Sequence, residues 1–295
     1  DLSPIVISKV EFYKILKSFG VKTYFIIYDI LPIIHPEWWT ENICEIHTKW
    51  LETVLNISDS VISISKAVSY EVKDWVNKKD IKKNIPLEYK YFHLGADVKN
   101  SMPSKGLLND TNVVLDKLKS KISFLSVGTI EPRKGHKQTI LAFEKLWSKN
   151  IDVNLVIVGK LGWLMDDFAS KVRNHPERNK RLFWLEGISD EYLEKVYETS
   201  TCLIAASEGE GFGLPLIEAA QHKKPIIARD IPVFKEVAKE FAYYFENTNE
   251  ANVLCKAIKE WLELYKDDKH PKSQNMPWLT WQESTKILLD KILIP

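Results

Sequence analysis

The sequence predicts an α/β protein built from two doubly wound domains, the first of them incomplete. Three observations carry that prediction. Short runs of β-branched and aromatic residues alternate with helical patterns along nearly the whole chain. The strand-like runs are continuously apolar, as in parallel sheets covered on both faces. At 295 residues the chain can also bury two separate cores.

The first domain is read over residues 1–97, in the order helix "KVEFYKILKSFG", strand "KTYFIIYD", a helix around "IHTKWLETVL", strand "SVISIS", helix "AVSYEVKDWV" and strand "YKYFHLG". Open sheets typically hold about four to six strands, so three leave this domain short. The chain also opens on "DLSPIV" with no initiator methionine, and the front of the domain is expected to lie outside it. Residues 98–121, polar and holding Pro103, Gly106 and Asn109, read as a linker. The second domain, 122–277, runs through "SFLSVG", "HKQTILAFEKLW", "VNLVIVG", "LMDDFASKV", "LFWLEG", "DEYLEKVYETS", "CLIAAS", "PLIEAAQ", "PIIAR", "VFKEVAKEF" and "AYYFE". Residues 278–295 form an amphipathic helix, with Trp278 and Trp281 at its entrance, that is expected to pack across a domain surface.

Lys and Arg number 41 against 40 Asp and Glu, a balance that implies no whole-surface attraction to nucleic acid or anionic membrane. Cys44, Cys202 and Cys255 are far apart and form no CxxC pair, which argues against a zinc site or disulfide framework and suits a reducing compartment. The most hydrophobic stretch, "YFIIYDILPII", is broken by Asp29 and Pro32 and is too short to span a bilayer. A cytoplasmic protein is expected.

Ligands of open parallel sheets bind beyond the carboxyl ends of the strands, so strand ends are where chemistry is sought. After "SFLSVG", Arg133 and Lys134 stand at a helix entrance near Gly135, where cations and unpaired N–H groups together suit a diphosphate; a solvated surface pair is the other reading. After "CLIAAS", the loop "EGEGFG" leads into a helix with Pro215 read at its first position. Gly211 and Gly213 allow close backbone approach to a ligand. Glu218, read in the first helical turn, suits the two hydroxyls of a ribose or simply complements the helix dipole, and Glu210 is a loop acid near whatever the phosphates carry. Lys160, after Gly159, is either a further phosphate contact or a surface lysine. Asp29 ends the strand "KTYFIIYD" and either orients an acceptor hydroxyl or contacts the sugar, or else caps the next turn. His35 reads as a loop-fixing residue, and His93 has no evident role.

The ordered series "VGTIEPRKGH", "LVIVGKLGW", "LEGISDEYLEKVYETS", "SEGEGFGLPLIEAA" and "PIIARDIPVFKEVA" resembles the retaining glycosyltransferases of GT-B fold that use nucleotide-sugar donors. The match covers nearly all of residues 123–245, and the glutamates Glu210 and Glu218, with seven residues between them, match that family's signature. The upstream half matches more weakly, through "YDILPIIHP", "SVISISKAVSYEV" and "FHLGAD". The resemblance implies two Rossmann-like domains. It implies that Arg133 and Lys134 grip the donor diphosphate, Glu218 holds the ribose and Glu210 contacts the transferred sugar. Gly211, Phe212, Gly213 and Leu214 would offer backbone N–H groups. It implies no metal and no cofactor. Many family members carry a histidine before the aspartate at the first domain's strand end, where this chain has Tyr28.

The wording "YDILPIIHPEWW" and "IARDIPVFKEV" is most similar to bacterial enzymes of O-antigen and capsule synthesis. That similarity, often to mannosyl- or rhamnosyltransferases, implies transfer of a hexose or deoxyhexose, from GDP-mannose first and a deoxythymidine- or uridine-linked donor second, to a growing polysaccharide or lipid-linked glycan at the inner face of the cell membrane. The alternative is a catalytically incomplete nucleotide-sugar-binding lobe of a larger multidomain synthase. A nicotinamide dehydrogenase is disfavoured because no GxGxxG follows "SFLSVG".

Overall fold

The computed structural model describes residues 5–79, 87–97 and 103–293. Two compact units emerge. One comprises the described residues of Asp1–Gly95, Glu210–Phe212 and Leu279–Pro295; the other comprises those of Ala96–Gly209 and Gly213–Trp278.

The first unit contains α1 (Ile5–Ser8), α2 (Val10–Ser18), β1 (Tyr24–Ile27), α3 (Leu31–Ile34), α4 (Glu41–Ile57), β2 (Ser60–Ser63), α5 (Lys66–Lys78) and β3 (Glu88–Tyr91). Its described strands pair in parallel in the order β1-β2-β3. Phe25 and Ile27 of β1 pack against Trp50, Leu51, Val54 and Leu55 of α4 and Val68, Val72 and Trp75 of α5. On both helices the buried positions recur every three or four residues, the spacing of a single helical face. The Ser65 hydroxyl caps α5 by accepting from the Val68 N–H at 3.1 Å.

The second unit contains α6 (Thr111–Lys119), β4 (Ser123–Val127), α7 (His136–Ser148), β5 (Asn154–Val158), α8 (Asp166–Arg173), β6 (Leu182–Leu185), α9 (Asp190–Thr199), β7 (Cys202–Ala205), α10 (Leu214–Gln221), β8 (Ile226–Arg229), α11 (Pro232–Ala238), β9 (Tyr243–Phe245) and α12 (Ala251–Lys266). All six strands are parallel, in the order β6-β5-β4-β7-β8-β9. The order reverses direction between β4 and β7, which makes the carboxyl ends of those two strands the topological switch point.

In the second unit two helices were not anticipated, nor were the short α1 and α3 in the first. The stretch expected as a linker carries α6, whose Leu115 and Leu118 are buried and whose Leu118 carbonyl accepts from the Ser123 hydroxyl at 2.6 Å. Upstream of α6, the Ser104 N–H and hydroxyl both bond Asp190 Oδ2 and the Gly106 N–H bonds Glu191 Oε2, so this segment is tied to the acidic first turn of α9. Residues 98–102 of the expected linker lie outside the described residues. The other is α12, where Leu254, Cys255, Ala257, Ile258 and Trp261 form one buried face against α7 and β4. The C-terminal helix, α13 (Trp281–Leu293), groups with the first unit, where the Ser284 hydroxyl donates to the His93 carbonyl at 2.6 Å.

Trp261 is fully buried, with Phe124 edge-on at 5.5 Å and Tyr265 stacked at 4.9 Å. Trp261→Ala should therefore lower unfolding stability by about 3–5 kcal/mol. Urea titration followed by circular dichroism measures this, and a loss below about 1 kcal/mol would contradict the packing described.

Candidate functional site

The site is built at the switch point from the loops after β4 and β7. Strand β4 ends at Val127 and is followed by Gly128, whose φ of 145° and close neighbours suit glycine; a side chain there would meet the Lys134 Cε at 3.3 Å. The Gly128 and Ile130 N–H groups extend the pairing with the β5 end by donating to the carbonyls of Val158 and Lys160. Gly159 is required by the same crossing, because a Cβ there would lie 1.9 Å from the Gly128 carbonyl oxygen.

A short 3-10 turn, Pro132–Lys134, then leads through Gly135 into α7. Gly135 is left-handed at φ 70°, and an added Cβ would sit 2.2 Å from the Ala206 carbonyl oxygen just beyond β7. The N-terminus of α7 is thereby seated against the β7 loop. Its unpaired N–H groups carry the equivalent of roughly half a positive charge, as anion sites at helix starts require.

Arg133 ties the two loops together. Its Nη1 donates to the Gly209 carbonyl at 2.8 Å, and its own carbonyl accepts from the Glu208 N–H at 2.7 Å. Its Nη2 is 2.7 Å from Glu131 Oε1, and the Glu131 side chain is only 3% exposed. The two cations read from the sequence thus share their loop with a buried carboxylate, which sequence inspection did not single out. His136, at the start of α7, is also buried. Desolvation holds its pKa at about 4, and its Nε2 donates to the Thr129 carbonyl at 3.4 Å, so at neutral pH it adds no charge.

The β7 loop re-enters the sheet layer at Gly213, with φ 97° and a would-be Cβ 2.9 Å from the Phe234 ring. Helix α10 starts at Leu214, so Pro215 is its second residue and Glu218 lies just past the first turn. That position corrects the first-turn reading and removes simple dipole complementarity as the reason for Glu218. Its Oε2 accepts a 2.7 Å hydrogen bond from the Tyr197 hydroxyl on α9, and the Tyr197 ring stacks on His222 at 5.0 Å. Burial raises the Glu218 pKa, and the Tyr197 hydroxyl partly offsets that rise. Tyr197 went unnoticed in the sequence because nothing local distinguishes it from the other apolar positions of α9.

Lys160 is exposed and leans toward Gly187, beyond β6, on the side of β5 away from β4. In the first unit, Gly211 is held by a 2.8 Å bond from the Ser65 hydroxyl to its carbonyl, and the Phe212 ring lies 5.3 Å from that of His93, tilted by 55°. A Cβ on Gly211 would come within 2.4 Å of the Tyr28 carbonyl oxygen. Asp29 Oδ1 accepts from the Leu31 N–H at 3.0 Å, while the Asp29 carbonyl lies 3.4 Å from His47 Nε2. Burial, and then the Asp29 charge, push the neighbouring Glu71 carboxyl to about 7. His35 stacks on Trp38 at 4.0 Å and pairs with Glu37, as a loop-fixing residue does. Among the described residues no cluster of His, Cys, Asp and Glu is placed to hold a metal ion, and no helix is long and apolar enough to cross a membrane.

The chain is 45% identical over 295 residues to the Escherichia coli serotype-specific mannosyltransferase WbdA, covering 99% of this chain and 36% of that protein. It is 25% identical over 224 residues to the O-antigen chain mannosyltransferase RfbU of Salmonella typhimurium, covering 76% of this chain and 56% of that one. The chain thus spans between about a third and about a half of the length of these two relatives. Among solved structures, Anabaena HepE in complex with UDP and glucose matches with a TM-score of 0.70 at 16% identity, covering 100% of this chain and 82% of that one, a likeness of the GT-B-like fold. The family model for glycosyl transferases group 1 matches residues 111–276, most of the second unit, and the chain belongs to that family.

Proposed function

We propose that the chain transfers mannose, with retention of anomeric configuration and without a metal ion, from GDP-mannose to a growing polysaccharide or lipid-linked glycan. The observation that carries this reading is the Arg133–Gly209 bond, which joins the β4 and β7 loops at the switch point beside the α7 N-terminus. The names of the mannosyltransferases WbdA and RfbU favour mannose as the sugar. A uridine- or deoxythymidine-linked donor is second choice.

In this reading the diphosphate lies at the N-termini of α7 and α10, held by Arg133, Lys134 and the backbone N–H groups of the β7 loop, with Lys160 the outermost contact. Glu218, steadied by Tyr197, accepts from the ribose hydroxyls. Glu210 contacts the mannose, and Gly211, Phe212, Gly213 and Leu214 line the turn between the two acids. Asp29 is the acid assigned to the acceptor. The bond from the anomeric carbon to the phosphate oxygen breaks through an oxocarbenium-like transition state, while the bond to the acceptor oxygen forms on the same face. The acceptor's proton passes to the departing phosphate oxygen. Fixed cations and helix N-termini stabilise the charge that develops there, the electrostatic task a metal performs elsewhere. The acceptor brings the protein to the inner face of the cell membrane.

A second reading rests on the fraction of WbdA that the chain spans, 36%. In it the chain is a donor-binding lobe of a longer mannosyltransferase and binds GDP-mannose without transferring it alone.

Incubation with GDP-mannose and a mannose-terminated acceptor in the presence of EDTA should give an α-linked product, read from its anomeric NMR signal. A β-linked product, or strict dependence on added metal, contradicts the mechanism. Glu210→Ala should cut turnover by about 100-fold or more and leave GDP affinity within about twofold, whereas Glu218→Ala should weaken GDP binding about tenfold. Equal loss of affinity in both variants contradicts the assigned roles. Because the Tyr197 hydroxyl lowers the Glu218 pKa, Tyr197→Phe raises it, so the carboxylate is protonated at higher pH. Titration calorimetry across pH should show GDP affinity falling on acidification, with the fall beginning at higher pH in Tyr197→Phe than in the wild type; coincident profiles contradict the Glu218–ribose contact.

A further inference from the structure

Arg229 ends β8, beside β7, and has no exposed surface. Every bond it makes goes to an uncharged oxygen. Nε donates to the Ala206 carbonyl at 3.0 Å, Nη1 to the Thr248 carbonyl at 2.6 Å and to Asn247 Oδ1 at 3.4 Å, and Nη2 to Gln138 Oε1 at 2.6 Å. The guanidinium also lies 5.4 Å from the Phe245 ring centre. Burial lowers its pKa from the ordinary arginine value, and the more distant Glu208 charge opposes that shift. A cation buried without a close carboxylate is costly, and an apolar side chain would fill the end of β8 at lower cost. Its retention points to what the four bonds hold in place.

They hold the candidate phosphate site. The Ala206 carbonyl gripped by Nε is the atom against which Gly135, the residue before α7, is seated. The residues after Ala206 lead directly to Gly209, whose carbonyl binds Arg133. Gln138, bound by Nη2, lies in the first turn of α7, and its amide donates onward to the Thr248 and Glu250 carbonyls. One guanidinium thus ties together the segments that follow β4, β7 and β9. A planar fork does this where a point charge cannot, since the four acceptors are spread around three separate nitrogens and a lysine has only one.

We propose that Arg229 is a positioning residue for the donor diphosphate, setting Arg133 and the α7 N-terminus at the spacing that the β-phosphate requires. The proposal rests on the donor-site reading above and adds that part of the site's selectivity for a diphosphate lies in a residue the ligand does not touch. A displacement of about 1 Å in such a group is enough to cost large factors in binding or rate.

The test is calorimetric titration of the full chain with GDP and with GMP, at a temperature where each variant is folded. The wild type should bind GDP more tightly than GMP. In Arg229→Lys, which keeps the charge and loses the fork, that preference should shrink about tenfold while GMP affinity stays within about twofold. Gln138→Leu, a milder change in the same network, should shift the ratio the same way by less, and it decides the question if Arg229→Lys fails to fold. An unchanged GDP-to-GMP ratio with only a lower melting temperature assigns Arg229 a merely structural part and overturns the proposal. Parallel loss of both ligands overturns it too. A wild-type chain with no preference for GDP over GMP refutes the donor-site reading itself, and the role of Arg229 falls with it.

Discussion

The second unit is organised around the contact between Gly135 and the Ala206 carbonyl, where a single added carbon would lie 2.2 Å from oxygen. That closeness forces a left-handed glycine before α7 and brings the start of the helix against the end of the neighbouring strand. It also makes the loops after β4 and β7 one structure. Arg133 spans them, its charge set against the buried Glu131, and Gly128, Gly159, Gly162 and Gly213 supply further close approaches. The scaffold of parallel strands thereby fixes where these loop residues stand relative to one another.

The electrostatics of the site follow from burial as much as from formal charge. Arg133 and Lys134 share their turn with Glu131, which offsets part of their charge, and the adjacent His136 is kept neutral by desolvation beside the partial positive charge of the α7 N-terminus. On the far side of the switch point, Glu218 is held by a tyrosine hydroxyl from the neighbouring helix. The charged groups are thus arranged in separate sub-sites, a cationic one at α7 and an acidic one at α10. Such a division suits a ligand with a phosphate end and a hydroxyl-rich end.

Much of this was legible in the sequence, because continuous apolar strands and loop glycines have local signatures. The parallel order of the second unit and the positions of Arg133, Lys134 and Gly213 follow from strand–loop–helix alternation. What stayed hidden depends on partners far away in the chain. Tyr197 and Glu218 are 21 residues apart, Arg229 and Gln138 are 91 apart, and neither pair leaves a pattern in a single sequence. Helix α6 was taken as a linker because the stretch around it is polar and only Thr111, Leu115 and Leu118 of the helix are buried, and α12 escaped notice although Leu254, Ile258 and Trp261 recur at helical spacing. The near-contact of Glu131 with Arg133 could have been suspected, since an acid two residues before an arginine in a tight turn is well placed to pair with it.

The most direct test of the account is a crystal structure of the chain with GDP bound. The account predicts the diphosphate against the α7 N-terminus and Arg133, with the ribose hydroxyls on the carboxylate of Glu218. GDP bound instead in the cleft of about 580 Å³ between α7 and α8, lined by Leu141, Leu164 and Lys171, or a ribose turned away from Glu218, would contradict it.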